Sequence, residues 1–257
     1  MFKICLDPGH AKGSDKHGCN GFSEEAHNLL MAQSLKKKLE STGKFTVCLT
    51  RDNEISDPSL TERGRTAAKH GCDMIVSMHT NGAQGTAHGV SVFHSVDLPG
   101  DKPMAQEFAD EIAKAIGTDS RGACVHESVN HPGEDYLTVI DSAQDAGTPH
   151  VFLSESGFHD NPGDWAKMHT PEGIDKIASA HAKVICKHYG VVWPVAPVVV
   201  PKPPVPTAAY YYVANGDNLF KIGKKFGVKW EIIAKRNSIT DPHALRVGQK
   251  LIIPHIK

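Results

Sequence analysis

The stretch ICLDPGHAKG, residues 4–13, brings an apolar run to a stop on Asp7-Pro8-Gly9 and leaves His10 at the tip. Pro8 and Gly9 break regular structure, so the strand ends there. A plain turn needs no histidine at that point. Working outward, the same arrangement recurs twice. The run IVSMHTN, residues 75–81, places His79 just past Met78, and VFLSESGF, residues 151–158, places Glu155 just past Leu153.

Apolar runs that read as strands are Lys3–Leu6, Phe45–Thr50, Met74–Met78, Gly89–Phe93, Leu137–Ile140 and Val151–Leu153. Amphipathic stretches over Glu24–Thr42, Ser59–His70, Lys102–Ile116 and Pro171–Tyr189 lie between most of them. Nearly all-apolar strands alternating with helices predict an α/β fold, a twisted, mainly parallel sheet flanked by helices. Ligands of such sheets gather beyond the carboxyl ends of the strands. His10, His79 and Glu155 then fall on one edge, where two imidazoles and a carboxylate suit a zinc site with an associated base.

A further ligand is available on the helix that follows GCNGFSEE. Ser23 is a candidate N-cap. At about 100° per residue, Asn28, Met31, Ala32, Leu35 and Leu39 share one face. Glu24 falls within roughly 30° of its centre and Glu25 roughly 80° off it, so Glu24 is expected inside and Glu25 closer to water. A buried carboxylate needs a partner. A divalent metal shared with His10 and His79 supplies one, and Gly9, Gly13, Gly18 and Gly21 let the loop fold back. Asp7 is a candidate either to orient His10 or to cap the turn, and Asn81 a candidate either for the site or for a plain turn. His17, His27, His126 and His131 read as solvated loop histidines rather than site residues.

The chain has 257 residues, with 40% hydrophobic and 22% charged residues, ordinary for a soluble protein. No apolar run is long enough to span a membrane, and MFKICLDPGH lacks the pattern of a secretory signal. Six cysteines without CxxC spacing read as reduced, mostly buried thiols, with a disulfide framework as the minor alternative. Residues 191–209, VVWPVAPVVVPKPPVPTAA, carry six prolines and form an extended spacer between residues 1–190 and 210–257. From Thr207 onward nine Lys/Arg stand against three Asp/Glu, +6, whereas the preceding residues hold 19 against 26, −7. A basic tail suits an anionic polymer. No helix-turn-helix, zinc-finger or RNA-binding motif supports nucleic acid.

The segments LDPGH, SEEAHNLLMAQSLKKKL, SMHTN and LSESGFHDN resemble, in order and spacing, the landmarks of the zinc-dependent N-acetylmuramoyl-L-alanine amidases of the Amidase_3 family, over roughly residues 3–188. The resemblance implies one Zn²⁺ held by His10, Glu24 and His79, with Glu155 as the catalytic acid/base. Departures are AKG after DPGH, Thr80 where alanine is usual, and Lys69 in place of an asparagine; none touches a ligand. Residues 211–254 resemble a LysM domain, a βααβ module that binds N-acetylglucosamine-containing glycans. The implied activity is hydrolysis of the amide between N-acetylmuramic acid and L-alanine in peptidoglycan. The implied partners are the wall glycan and its stem peptide, with no nucleic acid and no membrane insertion.

With no signal pattern, the expected setting is a phage or prophage endolysin made in the cytoplasm and acting on the wall after release, a bacteriolytic enzyme, with a bacterial autolysin freed by lysis or during sporulation as the other origin. A zinc peptidase acting on the stem peptide and a non-catalytic wall-binding protein are the alternatives.

Overall fold

The computed structural model describes residues 1–11, 13, 23–193, 208–242 and 244–254. Gly18, Gly21, His17, Cys19 and most of the proline-rich spacer lie outside them. The chain divides into two compact units, Met1–Ala196 and Pro197–Lys257.

The first unit is built on strands β1 (Phe2–Pro8), β2 (Phe45–Leu49), β3 (Met74–Asn81), β4 (Val90–His94), β5 (Ser120–Cys124) and β6 (His150–Phe158). Its helices are α1 (Glu24–Ser41), α2 (Leu60–Lys69), α3 (Lys102–Ile116), α4 (Thr138–Asp145), α5 (Pro162–Met168) and α6 (Pro171–His188). The sheet runs β2-β1-β3-β6-β4-β5. Strands β2, β1, β3 and β6 are mutually parallel, β4 is antiparallel to β6, and β5 follows β4. Strand alternation sorts the core onto two faces. Ile4, Leu6, Val76 and Phe152 pack with residues of α1, α3 and α6, while Cys5, Ile75, Val151 and Leu153 pack with α2 and α4.

Local chemistry explains the helix starts. Ser23 caps α1 by accepting from the Ala26 N–H at 3.4 Å. Ser59 and Glu62 form a reciprocal capping box at α2. Two expectations fail. Leu137–Ile140 is not a strand; it enters α4, which packs against α2. Gly64 permits that approach, since a Cβ there would lie 2.1 Å from Ser142 Oγ and 2.6 Å from the Val139 carbonyl. Strand β5, whose sequence SRGAC lacks an apolar run, was not expected at all.

In the second unit β7 (Ala208–Tyr212) pairs antiparallel with β8 (Lys250–Pro254), and α7 (Leu219–Phe226) and α8 (Trp230–Arg236) lie between them in the chain. Its core is Val213, Leu219, Ile222, Val228, Ile233, Leu251 and Ile253, with Ala234. Asn237 pins it: its side-chain amide donates to the Ile233 and Ile252 carbonyls at 2.8 Å, and its oxygen accepts from the Ile252 N–H at 2.7 Å.

Candidate metal centre

The parallel ladder sets the first pair. Register places Pro8 beside Met78 and His79 beside Glu155, so the three strand ends predicted from sequence are neighbours in the sheet. His79 and Glu155 lie within their strands, which run on to Asn81 and Phe158. His10 follows β1 in a left-handed conformation, φ 59. Gly9 has to be glycine: a Cβ there would lie 2.2–2.5 Å from the His79 ring.

Glu24, at the first position of α1 and 2% exposed, closes the group. His10 Nε2 lies 3.3 Å from Glu24 Oε2, and His79 Nδ1 3.3 Å from Glu24 Oε1. The Thr80 N–H donates to Glu24 Oε1 at 3.0 Å, and the Asn28 amide donates to Glu24 Oε1 and to the Gly9 carbonyl. One ligand atom each from His10, Glu24 and His79 lies within 4.8 Å of the others. Two imidazoles and a carboxylate are nitrogen and oxygen donors that Zn²⁺ accepts, three in number as in catalytic zinc sites, so the residues present fit that ion. A cleft of about 660 Å³ opens beside them, with Asp7, Pro58 and Arg63 among its walls.

The loop that carries His10 is held by two arginines, each 2% exposed, that the sequence did not mark. Arg51 donates to the carbonyls of Pro8, Gly9 and Glu25 at 2.7–2.9 Å. Arg63 donates to the carbonyls of Pro8 and His10 and to Asp7 Oδ1 at 2.8–2.9 Å. Asp7 also accepts from Thr50 Oγ1 and from Ser77 Oγ, so its bonds fix the end of the strand rather than His10. The Asn81 side chain accepts from the Gly82 N–H, a turn role.

His159 is another residue the sequence did not assign. Its Nδ1 lies 3.0 Å from Thr80 Oγ1 and 3.8 Å from Glu24 Oε2. Its only signal was its place in LSESGFHDN. Glu25, expected near water, is 7% exposed. Its backbone carbonyl is taken by Arg51, which covers that side of the first turn. His27, expected in solvent, is buried with Nε2 2.9 Å from the Met168 carbonyl. His126 stacks on Tyr136 with ring centroids 4.2 Å apart.

Electrostatics separates the two carboxylates. Burial alone would raise Glu24; hydrogen bonds and charge from His10 and His79 outweigh it and hold Glu24 well below the usual carboxylate range. Burial pushes Glu155 up to about 7, with His79 opposing and the Glu24 charge adding. Glu155 Oε2 is buried and has no hydrogen-bond partner among the described residues. Burial also works against a charged His79, but the Glu24 bond and the Glu155 charge overcome it and raise the imidazole. One carboxylate is therefore fixed as an anion and the other is poised to gain or lose a proton near neutrality, the division of labour that acid–base chemistry uses.

A mainly parallel α/β sheet with a His/Glu/His donor set at its carboxyl edge defines a class of protein with a ready metal site next to a titratable acid. Within that class, the family model of N-acetylmuramoyl-L-alanine amidases, Amidase_3, matches residues 4–187, and the chain belongs to that family. The LysM domain model matches residues 211–254. N-acetylmuramoyl-L-alanine amidase CwlM of Bacillus licheniformis is 27% identical over 220 residues, 85% of this chain and 79% of that protein. The solved structure of Cwp6 from Clostridium difficile is 28% identical with a TM-score of 0.61. It covers 72% of this chain, which spans only 29% of the Cwp6 chain. The catalytic domain of CwlV, an N-acetylmuramoyl-L-alanine amidase from Bacillus (Paenibacillus) polymyxa, shares the fold with a TM-score of 0.64 at 24% identity, over 75% of this chain and all of that one.

Proposed function

We propose that the first unit hydrolyses the amide between N-acetylmuramic acid and L-alanine in peptidoglycan, with one Zn²⁺ held by His10, Glu24 and His79. The observation that carries this reading is the side-by-side placement of the His10/Glu24/His79 donor set and a half-buried Glu155 whose Oε2 is shielded from solvent. Bound there, Zn²⁺ supplies Lewis acidity toward the carbonyl oxygen and makes water a better nucleophile at neutral pH. Glu155, with its carboxyl raised to about 7, accepts a proton from the attacking water and returns it to the departing L-alanine amine. Arg51 and Arg63 hold the His10 loop in place while this happens. The cleft beside the donors has room for the stem peptide or the sugar.

The second unit is read as the wall anchor, contacting N-acetylglucosamine-containing glycan through the loops after Gly216 and around Asn237–Thr240. Holding the wall raises the effective concentration of substrate for a tethered cutting unit. The biological reading is an endolysin that reaches the wall after release from the cytoplasm. Its support is the pairing of a cutting unit with a wall-holding unit in one chain.

Mass spectrometry of purified wall digested by the chain tests the chemistry. New L-alanine amino termini without new reducing ends are expected, and a chelator should stop their release. New amino termini elsewhere in the stem peptide would identify a peptidase, and undiminished digestion in excess chelator would remove the metal from the mechanism. Deleting residues 207–257 should reduce binding to whole walls and their lysis roughly 10²-fold or more while sparing small soluble fragments. Equal loss on both substrates would refute the anchoring role.

A further inference from the structure

Three cysteines that the proposed hydrolysis does not use converge on the α2–α4 side of the sheet. Cys5 on β1 and Cys48 on β2 are register partners in the parallel ladder. Cys72 sits just after α2, its N–H donated to the Ala67 carbonyl. Cys48 Sγ and Cys72 Sγ are 3.5 Å apart, and all three are free thiols. Among the described residues they form no metal cluster; the His10/Glu24/His79 group alone has that geometry. Cys72 precedes β3 and His79 lies near its other end, so the sulfur cluster is separate from the metal edge.

Access to the three thiols is unequal. Cys5 is 0% and Cys72 5% exposed, whereas Cys48 is half-buried on β2, the edge strand of the sheet. An oxidant from solvent therefore meets Cys48 first. The same geometry activates it. Hydrogen bonding with Cys5 and Cys72 lowers the Cys48 thiol, and hydrogen bonding with Cys48 raises both Cys5 and Cys72. A partly exposed, thiolate-prone cysteine beside buried thiols is the arrangement that peroxide-sensitive pairs require.

We propose that Cys48 and Cys72 are an oxidation-sensitive pair that closes to a disulfide, with Cys5 as a standby thiol. A peroxide oxidises the Cys48 thiolate to a sulfenic acid, its O–O bond breaking and one water leaving. The Cys72 sulfur then attacks the Cys48 sulfur, the S–O bond breaks, and a second water leaves with the Cys72 proton. In sum, two thiols and one peroxide give one disulfide and two waters. The sulfurs must close from 3.5 Å to about 2.05 Å. The bridge spans a 24-residue separation that contains both Arg51 and Arg63, the two residues that clamp the His10 loop. It restricts the unfolded chain there, so the oxidised protein resists thermal unfolding while the metal edge is left as it is.

The test uses the full chain, reduced and then exposed to about one equivalent of hydrogen peroxide. Thiol titration should fall by two, and peptide mapping should join the Cys48 and Cys72 peptides. The melting temperature should rise by about 5 °C and fall back on reduction. Cys48→Ser should abolish the bridge and the rise. Cys72→Ser should divert Cys48 to Cys5, or leave a sulfenic acid that a dimedone probe captures. A bridge that excludes Cys48, or thiol loss at the native rate in Cys48→Ser, overturns the proposal. So does Cys72→Ser with neither a Cys5–Cys48 link nor a captured sulfenic acid.

Discussion

The middle of the sheet and the junction of β1 with α1 each contribute two residues to one site, and they hold them by different means. On the β3–β6 side, His79 and Glu155 face each other because the parallel ladder puts them in register. On the other side, His10 stands on a loop in a left-handed conformation, fixed by five hydrogen bonds from Arg51 and Arg63 to the carbonyls of Pro8, Gly9, His10 and Glu25. A ladder position is shared among many backbone bonds and needs no dedicated support. A loop position beside a candidate metal site needs its own, and here two buried cations provide it. The electrostatics divides along the same line: burial raises the Glu155 carboxyl to about 7 on the ladder side, while His10 and His79 hold Glu24 well below the usual carboxylate range on the junction side.

The largest effect expected from breaking this division is on Glu155. Glu155→Gln should lower amide hydrolysis about 10³-fold, the range of a lost general base, while metal content stays at the native level. If the metal were lost too, Glu155 would belong with the ligands and the two sides would not differ in role.

On the junction side, Arg63→Ala leaves Asp7 buried without its cation and frees the His10 carbonyl. Loss of about 3–5 kcal/mol of stability is expected, together with weaker metal uptake. Denaturant unfolding and metal titration measure both. A variant with unchanged metal affinity would show that the loop holds itself.

The smallest effect sharpens the ladder side. Burial pushes His181, whose Nε2 lies 3.1 Å from Ser154 Oγ beside Glu155, down to about 4. An unfolded histidine titrates near 6.5. Between those values the unfolded chain binds a proton that the folded chain does not, so this residue's contribution to stability is intact above pH 6.5 and falls as the pH drops toward 4. His181→Met should flatten that acid limb by at most about 3 kcal/mol, read as unfolding free energy against pH. An unchanged limb would place the acid sensitivity elsewhere.

Much of the site was legible because its residues follow breaks in apolar runs. Pro8 and Gly9 announce the end of β1, and the polar residues after Met78 and Leu153 stand out against the strands before them. Helical phase chose Glu24, which the structure buries against both histidines. The same phase argument misplaced Glu25, because it counts only the helix's own faces and Arg51 comes from another element. The apolar stretch Leu137–Ile140 fits a strand or a buried helix equally well by pattern, and contact with α2 selects the helix. Arginines read from sequence as surface charge; nothing in their local pattern says that loop carbonyls will surround them.

The sequence by itself determined which runs are apolar, where those runs end and which donor residues follow, because these depend on local periodicity and chain breaks; that β3 and β6 continue past those points to Asn81 and Phe158 it did not. Only the tertiary structure decided that His79 and Glu155 share a register, that two arginines from separate elements meet on the His10 loop, and that one glutamate is charged and the other near neutrality. Those carboxyl shifts, down for Glu24 and up for Glu155, depend on burial and on neighbours distant along the chain, and the cost of moving charge out of water is set by everything that surrounds it.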